Sequence, residues 1–228
     1  VVFKENLVVL GGNFDTGVAM LNKPPFSSEK ATEKIVNFRR EFADQRVKEA
    51  DFESALELFE MEKHHYTELD GLEAQLVNLD KVWTVNRDWE ETRQNLGEEE
   101  LRKVDCDAME TQANVFDKSL KRLKQDCMQW AIWEHVKKSI IEFRDTIPLV
   151  EALRSQHMRP RHWITIKEDT GKDFDATSPD FQLRSIFDLG LHEYQEAIED
   201  IESTAKKQAK IEFGLAGIVE FWATAKFE

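Results

Sequence analysis

Met158-Arg159-Pro160-Arg161-His162-Trp163-Ile164-Thr165-Ile166, followed by Thr170-Gly171-Lys172-Asp173-Phe174-Asp175, is where the long apolar periodicities of this chain stop. Pro160 is barred from an ordinary helix interior, because it lacks an amide hydrogen and its ring clashes with the preceding turn. Two arginines, a histidine and a tryptophan crowd into Arg159 to Trp163. Guanidinium forks hold carboxylates in fixed geometry and stack on aromatic faces. The cluster therefore either braces this segment against acidic helix surfaces of the same chain or binds another protein, and bracing is the preferred reading. Residues 154–179 carry little helical period.

On both sides of this stretch the pattern is helical. Upstream, Leu69, Leu72, Leu76, Leu79 and Trp83 are spaced 3, 4, 3, 4, which keeps one seam facing a partner helix. Asn95-Leu96-Gly97 offers a stop. Ala113, Phe116, Leu120, Leu123, Cys127 and Trp130 repeat the spacing, and Trp133, Val136, Ile140, Phe143 and Ile147 continue it after a register slip that predicts a bend or break. Pro148 predicts a kink or end at Ile147. Earlier still, Ser27-Ser28 reads as a helix cap before Ile35, Phe38, Phe42 and Val47; the stripe then runs through Phe52, Leu56 and Phe59, with a break near Asp51 as an alternative to one continuous helix. Residues 1–26 are the least regular part. Gly11-Gly12-Asn13 signals a turn, and the short runs Val1-Val2-Phe3 and Leu7-Val8-Val9-Leu10 fit a strand or a buried helix equally well. Downstream, Ser178-Pro179 reads as a cap, followed by Ile186, Leu189, Tyr194, Ile198, Ile201 and Ala205, then by Ile211, Leu215, Ile218 and Trp222 in a shifted register.

The fold class expected is all-α: elongated bundles of long antiparallel helices with one irregular segment near 155–179. Three parts are predicted, 1–26, 27–153 and 154–228. Only 9 Gly and 5 Pro among 228 residues fit long helices joined by few turns, and a net charge of −14 disfavours nucleic acid and anionic membranes as partners. No apolar run approaches a transmembrane span. The chain opens on Val1 and stops inside an apolar pattern, which reads as a fragment of a longer polypeptide.

Chemistry-bearing motifs fail on spacing. Gly171-Lys172 lacks the glycine five residues before and the hydroxyl residue after that a phosphate loop requires, since Ile166 and Asp173 stand there. Asp169, Asp173 and Asp175 resemble a calcium loop only in charge. His64 and His65 are adjacent and point about 100 degrees apart on a helix, so they read as surface residues; His157 and His162 flank Pro160 without a ligand partner in spacing, and read as capping groups. Cys106 and Cys127 form neither a redox nor a zinc motif. Glu90-Glu91 and Glu98-Glu99-Glu100 read as solvated helix faces, and Trp83, Trp130, Trp133 and Trp222 fall on apolar stripes as core or helix contacts. No catalytic, cofactor or metal residue is assigned. The structural or interface candidates are Arg159, Arg161, His162, Trp163, Lys172 and Trp222.

Several of these stretches resemble the dynein heavy chain, in the linker that joins its tail to the motor ring. The resemblance rests on Ile147-Pro148-Leu149-Val150-Glu151-Ala152-Leu153-Arg154, Met158-Arg159-Pro160-Arg161-His162-Trp163, Thr170-Gly171-Lys172-Asp173-Phe174, Leu189-Gly190-Leu191 and the run from Ile211 to Trp222. Lys48-Glu49-Ala50-Asp51-Phe52, Glu57-Leu58-Phe59 and Tyr66-Thr67-Glu68-Leu69 look like the start of that linker in its axonemal version. Glu60, Glu62 and Thr67 depart from it, standing where glycine and prolines are expected, and residues 1–23 match only as a tail-to-linker junction. The resemblance implies a helical lever that changes its bend in the ATP cycle of a motor ring. It places the ATP and Mg²⁺ sites and the microtubule-binding stalk C-terminal to Glu228, so no cofactor is expected here. It also implies the motor ring of the same chain and other dynein subunits as partners, the microtubule only indirectly, and a cytoplasmic place in the axoneme of a cilium or flagellum. Two rival readings remain at this stage. A spectrin-like or coiled-coil scaffold explains the heptads but not the Arg-His-Trp segment, and a small helical enzyme would need polar residues converging on stripes that are apolar.

Overall fold

Polar crosslinks set the register of two 31-residue helices, α2 (Ser28–Leu58) and α3 (Thr67–Gly97). Ser28 Oγ donates to Glu90 (2.6 Å), Arg39 to Asp80 (2.6 Å) and Arg46 to Glu73 (2.6 and 3.0 Å), so the later residue falls as the earlier one rises and the helices run antiparallel. The computed structural model describes residues 2–62, 65–176, 178 and 180–224. Among these the chain is all-α, as its periodicities predict, with α1 (Val2–Leu21), α4 (Cys106–Arg122), α5 (Lys124–Cys127), α6 (Ala131–Asp145), α7 (Ile147–Arg154), α8 (Pro160–Thr170), α9 (Leu183–Asp188), a 3₁₀ turn (Leu191–Tyr194) and α10 (Gln195–Thr224) completing the order. An isolated antiparallel bridge, Glu100 with Gln182, is the only β pairing among the described residues.

The chain forms two compact units, Val1–Glu90 with Val115–Ile140, and Glu91–Asn114 with Ile141–Glu228. In the first, most of the predicted seam is core: Leu69, Leu76, Leu79 and Trp83 are buried and Leu72 is half-buried, and Ile35, Phe38 and Phe42 of α2 in the same unit are buried as well. Ser27 caps α2 by accepting the Lys30 amide (3.3 Å), as the sequence predicts. Trp89, not singled out by periodicity, is fully buried, donates its indole N–H to Ser139 Oγ (2.9 Å) and meets the Phe116 ring edge-on. The register slip is a real break, because α4 ends at Arg122, the short α5 follows, and α6 starts only at Ala131.

The least regular stretch by sequence is instead one helix. Phe3, Leu7, Leu10, Phe14 and Leu21 of α1 are buried, and their spacing carries the helix straight through Gly11-Gly12-Asn13. Tertiary burial overrides the local turn signal. Gly17 has a reason of its own: a β-carbon there would lie 2.5 Å from the Phe38 ring, which packs against Phe14. Helix α2 shows two further departures. It runs through Asp51 without a break, and Val47, five residues past Phe42 and so rotated off the seam, is exposed. The chain turns immediately after, with Phe59 capping α2 and Glu60 in the left-handed region at φ 53°, the position where the family's glycine is expected.

In the second unit α10 packs on α7 and α8. Pro148 lies in the first turn of α7, where its missing amide hydrogen costs nothing, and Leu149 and Val150 are fully buried. The segment 155–179 is irregular at its ends but holds α8 in its middle, with Pro160 as first helical residue and Gly171 (φ 65°) closing it. Pro179 lies outside the described residues. The next helix, α9, starts at Leu183 rather than after Ser178, whose Oγ instead accepts the Asp180 amide (3.1 Å) in a turn.

Candidate functional site

The Arg-His-Trp stretch forms the start of α8, and the side chains of Arg159, Arg161 and His162 reach α10. Arg159 is the residue before the helix, in extended conformation, and its amide donates to His162 Nδ1 (3.0 Å) while the His162 amide donates back to the Arg159 carbonyl (2.9 Å). Because Nδ1 accepts an N–H, the neutral imidazole carries its hydrogen on Nε2. That Nε2 lies 3.0 Å from Gln208 Oε1 and donates to it. Arg161 donates Nε–H to the same oxygen (2.9 Å) and a terminal N–H to Glu212 (2.8 Å), and Arg159 reaches the other Glu212 oxygen (3.5 Å). Gln208 and Glu212 are one turn apart on α10, so each is fixed by the same guanidinium.

The electrostatic signature agrees with this geometry. The hydrogen bond from Arg161, with the charges of both arginines, holds the Glu212 carboxyl below the usual glutamate range. His162 is buried and serves as an internal cap, as the sequence reading has it, while the arginines are about half-exposed. Trp163 takes no part in these ties and meets Phe174 edge-on (6.1 Å, 85°), and Phe174 stacks on Phe181 (5.1 Å). Polar ties and an aromatic stack thus both hold this short helix.

Two sequence candidates fall outside it. Lys172 is exposed, and the lysine that works here is Lys167, which pairs with Asp173 (2.9 Å) and lies over the Phe174 ring. Trp222, expected as a core or helix contact, is 56% exposed, as are the neighbouring Ile211, Leu215 and Ile218. Periodicity correctly finds their common stripe but cannot say whether anything covers it.

A second polar centre was not found from sequence. Arg46 donates to Glu49 (2.6 Å), Glu73 (2.6 and 3.0 Å) and Asp70, tying α2 to the first turns of α3. The hydrogen bond to Glu73 leads a set that holds the guanidinium more firmly protonated than usual, despite its partial burial. Buried Glu49 also accepts the Tyr66 amide (3.2 Å), and His65 bonds Asp70 (2.7 Å). Glu49, Glu53 and His65 bring ligand atoms within 4.8 Å of one another, a spacing that suits a cation, yet Arg46 already neutralises Glu49 from within. His64 lies outside the described residues. The two thiols are buried and free, and burial pushes Cys127 up to about 11 and Cys106 upward as well, so neither is a reactive thiolate.

A family model described as dynein heavy chain, N-terminal region 2, matches residues 69–228, which include all of α8 and α10. The chain belongs to the dynein heavy chain family. Among similar dynein proteins are the Dynein-1-beta heavy chain of the flagellar inner arm I1 complex of Chlamydomonas reinhardtii (28% identity over 97% of this chain) and the Dynein axonemal heavy chain 2 of Mus musculus (32% over 90%). Another is the Dynein axonemal heavy chain 5 of Rattus norvegicus (27% over 89%). The chain spans only 5%, 5% and 6% of those dyneins' own lengths. No helix among the described residues is long and apolar enough to cross a membrane.

Proposed function

We propose that this chain is a non-catalytic mechanical element of a ciliary dynein heavy chain, the part of the linker next to the tail. In this reading it transmits the ATP-driven conformational change of a motor ring to the tail and so moves the motor along a microtubule in the axoneme. The ring, its ATP and Mg²⁺, and the microtubule-binding stalk belong to other parts of the heavy chain. The ring and further dynein subunits are the partners, and the microtubule is engaged only indirectly. The observation that carries this reading is the double tie of Arg161 to Gln208 and Glu212, with His162 on the same Gln208 oxygen. Force transmission requires that α8 and α10 move as one body, and side chains fixed from two directions resist sliding where an apolar contact alone would permit it. The apolar stripes support the same reading, because they build packed helices and converge no reactive groups.

The test is the double variant Arg161→Ala with Trp163→Ala in the full-length heavy chain. We expect a lower microtubule gliding speed with basal ATP turnover retained, because the ring is untouched while its lever slips. If gliding speed and thermal stability are both unchanged, the bracing role is wrong.

A further inference from the structure

The end of α2 presents large apolar side chains that the described residues leave exposed. Phe52, Leu56 and Phe59, at spacings of 4 and 3, share one helix face. Its near end is supported, with Phe52 edge-on to Phe3 (5.4 Å) and Phe3 edge-on to Tyr66 (4.7 Å). Beyond that support Leu58, Phe59 and Met61 are 80%, 73% and 60% exposed. They are not on a loose tail. The Phe59 amide donates to Ala55 (3.2 Å) and the Met61 amide to Leu56 (2.9 Å), and Glu60 turns the chain between them. The hydrogen-bonded backbone thus presents three large apolar groups to solvent within one short turn of chain. The sequence here is predominantly acidic: residues 51–62 include Asp51, Glu53, Glu57, Glu60 and Glu62 and no basic residue, and Lys63 follows them.

We infer that this end of α2 is a docking surface for an amphipathic basic helix of a partner protein. An exposed apolar turn in a predominantly acidic stretch is complementary to an apolar stripe flanked by lysine and arginine. The same carboxylates oppose the other occupants. A second copy of this chain would bring two acidic stretches together, and an anionic membrane surface would be repelled. This surface is separate from the α8–α10 brace, and the inference does not depend on that brace's role.

The probe is a fluorescein-labelled designed helix of leucine and lysine, with a leucine–glutamate helix of the same pattern as control, titrated with the 228-residue chain and followed by anisotropy. Two variants decide between contact and mere charge attraction. Leu58→Ser with Phe59→Ser keeps every charge, and should weaken binding at least about tenfold. Glu60→Gln with Glu62→Gln should weaken binding and flatten its salt dependence. Both alter exposed groups, so unchanged circular dichroism and thermal midpoints will show that the fold is intact. Absence of binding to the leucine–lysine helix overturns the inference, as does equal binding by the Leu58→Ser, Phe59→Ser variant or comparable binding of the leucine–glutamate control. A concentration-dependent dimer of the parent chain in sedimentation, lost in that variant, also overturns it and assigns the surface to a second copy.

Discussion

Arg46 and Arg161 perform the same task, each tying two helices within its own unit, but in different surroundings. Arg46 is 29% exposed, has three carboxylates, and one of them, Glu49, is nearly out of reach of water. Arg161 is 53% exposed and faces one carboxylate, itself 44% exposed, plus a neutral amide oxygen. Removing a partner from a buried charge leaves a cost that solvent cannot absorb, whereas an exposed pair is readily replaced by water. The two ties therefore have different uses. The first is built into the stability of the α2–α3 hairpin, and the second adds fixity of position between α8 and α10 at small energetic weight.

The largest expected effect is therefore at Arg46. Arg46→Ala leaves Glu49, among the described residues, with the Tyr66 amide and a 3.7 Å contact to His65, and should lower stability by about 2 kcal/mol, the partial exposure of the arginine reducing the full buried-pair cost. In thermal unfolding this is a drop of about 4–8 °C for a chain of this size. Arg46→Lys should recover only part, because an ammonium cannot fork between Glu73 and Asp70. If Arg46→Ala melts with the parent chain, the hub is not a stabilising centre and the contrast between the two arginines collapses.

Why the sequence shows one of these arginines and conceals the other is a matter of distance along the chain. Arg161 announces itself because arginines, a histidine and a proline interrupt apolar periodicity within five residues. Arg46 lies inside a regular helix, and its partners Asp70 and Glu73 are 24 and 27 positions away across a turn. Only Glu49, at i+3, was in local view. The same limit governs the rest of the fold. The seam from Leu69 to Trp83 is legible because a 3, 4 repeat repeats on itself. Helix α1 is not, since Gly11-Gly12-Asn13 outweighs it locally and the rings of Phe38 and Phe42, which supply the burial, belong to another helix. Trp222 shows the reverse error: its stripe is periodic, which period alone reads as burial, yet Trp222 and its stripe-mates Ile211, Leu215 and Ile218 are exposed.

The smallest expected effect is the most diagnostic of how the second tie works. Arg161→Ala alone should lower the thermal midpoint by about 1–3 °C at neutral pH and low salt. Its pH dependence follows from Glu212. The folded carboxyl titrates below the ordinary value of 4.5 because Arg161 bonds its charged form, so the unfolded chain takes up the proton first as pH falls. The contribution is then complete above 4.5 and is lost as the pH drops through the lower folded value. The difference between the parent and Arg161→Ala should accordingly stay constant from about pH 7 to 5 and close at more acid pH. It should also shrink in about 1 M salt, where screening reaches only about 3 Å. A difference that survives both acid and salt would mean that Arg161 acts through its aliphatic stem packed on α8 and α10 rather than through its charge. The brace would then be a packing contact like the others in the unit, and the distinction drawn from Arg46 would rest on burial of the side chain rather than on the ion pair.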